Sequence, residues 1–253
     1  MDLENKVIVV TGAARGLGAA MAKRLATHRT KLGLIDLDKS SLEATAAACK
    51  EAGAEGATYG ADVSKEDNVE QVFDQVVTDL GSLHGLINNA GITRDALLVK
   101  FKNGKVVSKM SLKKWQTVVD VNLTGVFLCG REAARHMIEL GNEGVIINIS
   151  SISRAGNMGQ TNYSATKAGV QAMAVVWGKE LARYGIRAAF IAPGFINTEM
   201  VAAMKSEARD KLTAAIPLKR IGEPDEVAQA AEFIFKNDYF TGRGIDLDGA
   251  LRL

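Results

Sequence analysis

The feature that most constrains this chain is the alternation of short apolar runs, mostly β-branched, with longer helical stretches. Strand candidates fall at residues 6–10, 31–35, 57–61, 86–89, 145–149, 187–192 and 244–247; the third, diluted by Gly60 and alanines, has the weakest signal. Between them the pattern predicts helices near residues 16–27, 41–52, 65–80, 112–140, 162–184 and 224–235, with Ser40, Ser64 and Ser111 as N-caps. Strands apolar on both faces need a cover of helices on both sides, which is the arrangement of a parallel sheet. The expected fold is therefore a doubly wound parallel α/β sheet of the Rossmann type, one domain over residues 1–253. A chain of that length can bury about 75% of its unfolded surface. Its three prolines, Pro193, Pro217 and Pro224, all lie in the last quarter.

Composition serves mainly to exclude. Lys and Arg number 31 against 29 Asp and Glu, with the signs interspersed. That predicts no basic footprint for nucleic acid and no polybasic patch for a membrane. Only Cys49 and Cys129 occur, without Cys-x-x-Cys spacing and away from His28, His84 and His136. No metal site or disulfide framework is expected, and a reducing, cytoplasmic location is. Cys129 and His136 are seven apart on one predicted helix and read as a partly buried thiol and an exposed imidazole. The first residues show no charged-then-apolar pattern, so no signal sequence is expected, and no apolar run approaches the roughly 18 residues of a membrane span.

The first strand ends in Thr11-Gly12-Ala13-Ala14-Arg15-Gly16-Leu17-Gly18, and a helix follows. Glycines let the backbone turn tightly and approach a pyrophosphate, while the helix start offers free N–H groups and a positive dipole end. Gly12, Arg15, Gly16, Leu17 and Gly18 are thus candidate cofactor-binding residues. Asp36 ends the second strand, 18 residues after Gly18, close to the offset of a ribose-binding acid. A carboxylate there accepts ribose hydroxyls and repels a 2′-phosphate, which favours NAD (NADH) over NADP(H). Arg15 and Lys39 are the nearest cations that could offset the repulsion, and a turn or N-cap role is the alternative for Asp36.

Tyr163 and Lys167 are i and i+4 on one predicted helix and share a face. A free phenol titrates near 10. A neighbouring ammonium favours the phenolate, so the pair can exchange a proton with a carbonyl or alcohol oxygen, and Lys167 can also hold a ribose. No Gly-x-Ser-x-Gly or Gly-x-x-x-x-Gly-Lys occurs, so neither a serine hydrolase nor a nucleoside triphosphatase is supported.

The Gly-x-x-x-Gly-x-Gly loop, Asn88-Asn89-Ala90-Gly91, Asn122 within Asp120-Val121-Asn122-Leu123, a serine after the fifth strand, Tyr163-Ser164-Ala165-Thr166-Lys167, and Pro193-Gly194 together resemble the short-chain dehydrogenase/reductase family over nearly the whole chain. The resemblance implies that Asp62 and Val63 border the adenine and that Asn89, Ala90 and Gly91 line the cofactor. It also implies that Pro193 and Gly194 precede Ile196 and Thr198, which contact the nicotinamide amide. Asn122 would hold a water linking Lys167 to solvent; a helix-bending polar residue is the other reading. Ser150 and Ser151 lie 13 and 12 residues before Tyr163. Strand alternation lets only one face the cofactor, and alignment from the strand side selects Ser151 to stabilise charge on the substrate oxygen.

Against the family pattern, about nine residues are extra around residues 100–109. Asn103-Gly104 there is a favoured hairpin turn, read as a surface excursion, a flap at the site's rim, or a subunit contact. The helix at residues 168–181 has only Gln171, Lys179 and Glu180 as polar members, so a second face should meet a partner, in keeping with the family's frequent homotetramers. Close relatives include 3-oxoacyl-acyl-carrier-protein reductases, which use NADPH and a basic patch; here Asp36 and the acidic turn at residues 139–143 depart from that pattern. The first functional reading is an NAD(H)-linked ketone or secondary-alcohol dehydrogenase. The second is a carrier- or CoA-linked 3-oxoacyl thioester reductase, and the third a non-catalytic NAD-binding regulator. Arg154, Asn157, Gln160, Phe195 and residues 199–211 would build the substrate pocket.

Overall fold

The computed structural model describes residues 1–202 and 206–253. Along the first third run β1 (Val7–Thr11), α1 (Gly16–Ala26), β2 (Lys31–Asp36), α2 (Glu43–Glu51), β3 (Glu55–Gly60), α3 (Glu66–Leu80) and β4 (Gly85–Asn88). A hairpin follows, β5 (Val99–Lys102) and β6 (Lys105–Lys109), then α4 (Leu112–Val119), α5 (Gly125–Glu139), β7 (Gly144–Ile149), α6 (Thr161–Glu180) and β8 (Ile186–Pro193). The last elements are α7 (Glu199–Ala202), α8 (Ser206–Ala215), α9 (Pro224–Lys236) and β9 (Gly244–Leu247). Seven strands form one sheet in the order β3-β2-β1-β4-β7-β8-β9, every neighbouring pair parallel.

Alternation along β1 divides the core. Ile8 and Val10 pack with Met21, Leu25, Ile234 and Phe235 under α1 and α9, while Val7 and Val9 pack with Val72, Phe73, Val76 and Met137 under α3 and α5. Fully burying side chains of this size stabilises by about 1.5–3 kcal/mol each, which makes the sheet a rigid platform. The connections from β1 and β4 leave toward opposite edges. A crevice therefore opens beyond their C-terminal ends, the usual place for a ligand in such sheets.

Several local expectations change. β3 starts at Glu55 because its register comes from β2, with Lys31 opposite Glu55. Ser111 does cap α4, accepting the Lys114 N–H. Ser40 does not cap; Asp38 is the cap there and accepts the Ser40 N–H. Nor does Ser64, whose hydroxyl donates to Asp62 at 2.7 Å. The helix expected over residues 112–140 is broken by a π-turn, Asp120–Thr124, where the Gly125 N–H reaches back to the Asp120 carbonyl. Both Cys129 and His136 are buried. The imidazole lies 3.0 Å from Asp74 on α3, and burial, ahead of the Arg135 charge, holds it below its ordinary range. Among the described residues no helix is long and apolar enough to cross a membrane, and no cluster of three or more His, Cys, Asp or Glu side chains could hold a metal.

Candidate active site

A cavity of about 740 Å³ lies at the switch point, and a second of about 340 Å³ is lined by Phe195, Ile196 and residues from the end of the chain. The wall of the larger includes Gly12, Arg15, Gly16, Leu17, Asp36, Asp62, Val63, Asn89, Ala90, Gly91 and Thr198. Gly12 has φ +64°, a left-handed conformation that other residues adopt at a cost. Gly18 is required for another reason. A Cβ there would sit 2.1 Å from the Gly12 carbonyl oxygen, so the start of α1 packs directly on the loop. α1 begins with no side-chain cap and no acidic residue in its first turn, leaving its N–H groups and positive end toward the cavity. Thr11, which the sequence reading passed over, holds the loop in place. Its hydroxyl accepts the Asn89 and Ala90 N–H groups, and the Asn89 amide donates to the Thr11 and Gly12 carbonyls.

Asp36 reaches the same wall from the end of β2. Its carboxylate accepts the Ala14 N–H at 3.0 Å and the Leu37 N–H at 2.8 Å. A carboxylate has about four lone-pair sites, so acceptor capacity remains for a ligand. Arg15 extends to Glu199, 3.2 Å away. Asp62 is held by Ser64.

The reacting side chains meet where β7 runs into α6. Ser150 and Ser151 point apart. The Ser150 hydroxyl is buried and donates to the Lys167 carbonyl at 2.7 Å, whereas Ser151 caps the next turn and its hydroxyl lies beside the Tyr163 phenol. Burial pushes the Tyr163 phenol above its ordinary range; hydrogen bonding by Ser151 opposes this and the charge of Asp95 adds to it. The expectation that Lys167 would set the phenol's titration is therefore not met in the cofactor-free chain. Lys167 lies 5.5 Å from the Tyr163 ring centroid and donates to the Ile149 carbonyl at 2.7 Å. Burial pushes its ammonium down to about 8. Gly91 connects this cluster to the cavity: a Cβ there would lie 3.7 Å from the Lys167 Nζ and 3.5 Å from Asn122 Oδ1.

Asn122 lies fully buried in the π-turn and brackets Ile92, accepting its N–H at 2.8 Å and donating to its carbonyl at 2.9 Å. Asn162 is a second residue the sequence reading missed. It is fully buried, accepts the Tyr163 N–H, and donates to the Arg94 and Lys114 carbonyls. The tyrosine is thereby tied to both ends of the segment that carries the β5–β6 hairpin.

Not every candidate reaches the large cavity. Gly18 lies behind the loop. Pro193 ends β8, Gly194 pairs with Leu247, and Ile196 lines the smaller 340 Å³ space with Phe195. Arg154, expected in the substrate pocket, pairs with Asp246 at 2.8 Å and stacks on Phe190. Asn157 and Gln160 hydrogen-bond each other. Residues 203–205 of the expected pocket segment lie outside the described residues.

A glycine loop at a parallel switch point, an acid ending the second strand, and a Ser-Tyr-Lys cluster define a class of nicotinamide-dependent oxidoreductases. Comparison with known proteins agrees: the pattern described as "short chain dehydrogenase" matches residues 6–209, and the chain belongs to the short-chain dehydrogenase/reductase family. It is 39% identical to the 3-oxoacyl-[acyl-carrier-protein] reductase FabG of Thermotoga maritima over 99% of both chains. It is also 39% identical to the acetoacetyl-CoA reductase of a Synechocystis species, over 99% of this chain and 98% of that one. The crystal structure of levodione reductase superimposes with a TM-score of 0.89 at 33% identity, covering 98% of this chain and 97% of that one. The protein is an oxidoreductase acting on CH–OH and C=O groups with a nicotinamide cofactor.

Proposed function

We propose that the chain interconverts a ketone and a secondary alcohol with NAD(H), using Tyr163 as general acid and base. The observation that carries this reading is the convergence of Ser151, Tyr163 and Lys167 beside a cleft that also reaches Asp36. When bound, the nicotinamide supplies or accepts the hydride. Tyr163 gives the matching proton to the carbonyl oxygen or takes it from the alcohol. Ser151 donates a hydrogen bond to that oxygen and stabilises the charge it develops. With the cofactor bound, the positive nicotinamide together with the Lys167 ammonium would favour the phenolate, and Lys167 would hold the adjoining ribose. Asn122, whose amide keeps hydrogen-bonding capacity after its two bonds to Ile92, would hold the water that links Lys167 to solvent.

Gly12, Arg15, Gly16 and Leu17 would face the pyrophosphate, with Gly18 behind them letting α1 pack on the loop, and Asp62 and Val63 would face the adenine. Asn89, Ala90 and Gly91 would border the central part, and Pro193, Gly194, Ile196 and Thr198 the nicotinamide. NAD(H) is favoured because Asp36 is fixed at the wall by two N–H groups while Arg15 pairs with Glu199. The relatives' names favour a 3-oxoacyl thioester as the particular ketone. A regulatory, non-catalytic role would leave the Ser-Tyr-Lys cluster without a purpose. Exposed apolar positions on α5 and α6, Phe127 and Val176 among them, support a homotetramer, and two free, buried cysteines go with a cytoplasmic location.

Tyr163→Phe tests the assignment, since it removes the proton donor and keeps the ring. Turnover should fall by roughly 10²–10⁴ while NADH binding, followed by fluorescence, persists. Undiminished turnover would refute the role.

A further inference from the structure

A net charge of +2 hides a strong segregation. Residues 94–114 carry seven cations, Arg94, Lys100, Lys102, Lys105, Lys109, Lys113 and Lys114, against Asp95 alone, so this stretch is +6 and the remainder of the chain −4. The interspersed charge expected from composition does not hold here. Among the described residues none of the seven has a carboxylate within ion-pairing distance, whereas Arg24, Arg131, Arg135 and Arg220 elsewhere are all paired.

The hairpin at the centre of this stretch contributes nothing visible to the core. Every residue of β5 and β6 is exposed, and the two strands pair only with each other. An isolated two-stranded hairpin is marginal in water, and Lys102 faces Lys105 directly across it, a like-charge pair that weakens it further. Its two faces differ. Val99, Phe101 and Val106 belong to one, with Lys109 opposite Val99, and Lys100, Lys102 and Lys105 to the other, following the cross-strand pairs on either side of a register shift between Lys100 and Phe101. Phe101 is 68% exposed.

The base of the hairpin is anchored at the reaction centre. Ala96 bridges to Gln160, Asp95 accepts the Gln160 amide, and Asn162 donates to Arg94 and Lys114 at the two ends of the stretch while accepting the Tyr163 N–H. The arm therefore projects from the mouth of the site.

We propose that the Val99–Lys109 hairpin is a docking arm for an acidic protein that presents the acyl thioester to Tyr163. This rests on the thioester reading above. An acidic protein fits better than a nucleotide handle because the cations are spread along a protruding element of about 17 Å beside exposed apolar side chains. A small polyphosphate requires donors converging in a concavity. A basic, aromatic-bearing protrusion is also how an electrostatically steered protein contact is built.

The test uses the full enzyme and Lys102→Glu/Lys105→Glu, neither residue being part of the catalytic or cofactor machinery. One 3-oxoacyl group is offered on an acidic acyl carrier protein, on CoA, and on N-acetylcysteamine. The charge reversal should lower kcat/KM at least 10-fold with the carrier and change the other two less than 2-fold. An unchanged carrier rate overturns the proposal, as does an equal loss with CoA, which would assign the arm to phosphates. Binding of the unacylated carrier is measured separately by titration at 50 and 200 mM salt. It should weaken with salt and with the double reversal. Failure of the wild type to bind the carrier, or binding to anionic phosphatidylglycerol vesicles in its place, overturns the proposal. Turnover of none of the three thioesters, with carrier binding intact, would instead overturn the thioester reading alone.

Discussion

Replacing Lys167 with methionine should abolish turnover without destabilising the cofactor-free fold, an unusual result for a buried, hydrogen-bonded side chain. Burial lowers the ammonium from 10.5 to about 8, which corresponds to about 3 kcal/mol against the charged form. Methionine matches the length and removes that cost. It also removes the charge-assisted hydrogen bond to the Ile149 carbonyl at 2.7 Å, worth about 1.5–3 kcal/mol. The balance leaves the variant between neutral and about 1.5 kcal/mol more stable at pH 7. Between pH 8 and 10.5 the unfolded chain holds a proton that the native lysine has released. Wild-type stability therefore rises with pH, by up to about 1.4 kcal/mol per unit from this group. The variant lacks that rise, so its advantage should shrink and reverse as pH climbs from 7 to 9.5. Urea unfolding followed by circular dichroism across that range measures both proteins. A variant destabilised by more than about 2 kcal/mol at pH 7, or a difference flat with pH, would refute a strained buried ammonium.

Wild type should prefer NADH to NADPH by about 10² in kcat/KM, a difference of about 2.7 kcal/mol, and Asp36→Ala with Leu37→Arg should erase or invert this in steady-state kinetics with both cofactors. Ser151→Ala should reduce turnover far more than Ser150→Ala, while Ser150→Ala, which removes the hydroxyl's bond to a Lys167 carbonyl that α6 still satisfies, should cost about 0.5–1.5 kcal/mol in urea unfolding. Gly18→Ala would drive a Cβ against the Gly12 carbonyl; it should raise the KM for cofactor severalfold and cost about 1–3 kcal/mol, read by cofactor titration and thermal unfolding.

Much of the fold was legible because each strand carries its own signal. β1, β7 and β8 are apolar on both faces, and such strands have no stable place outside a sheet covered on both sides. Boundaries were less legible where a neighbour decides them. The start of β3 is set by pairing with β2, and Asp38 outcompetes Ser40 as cap because its carboxylate accepts both the N–H and the hydroxyl of Ser40. The π-turn at Asp120–Thr124 contains no proline or glycine to announce a break in the helix. Yet that turn is what carries Asn122 to Ile92 and thence to Gly91 beside Lys167.

The site divides along the same line between local and distant. The glycine loop and the Tyr163–Lys167 spacing are readable because each lies within one element. Which of Ser150 and Ser151 faces the phenol depends on what α6 presents to the end of β7, and there the main-chain carbonyl of Lys167 accepts the Ser150 hydroxyl. One residue thus sets both halves of the cluster: its ammonium lies 5.5 Å from the tyrosine ring centroid and its carbonyl holds Ser150 away from the phenol. Asn162 escapes sequence reading for a similar reason, because its partners Arg94 and Lys114 are 68 and 48 residues away. Net charge fails in the opposite sense, averaging over the chain a difference that folding collects onto one hairpin. Charge is therefore informative here by segment, and catalytic identity by which side chains the strand ends bring to the helix that bears Tyr163.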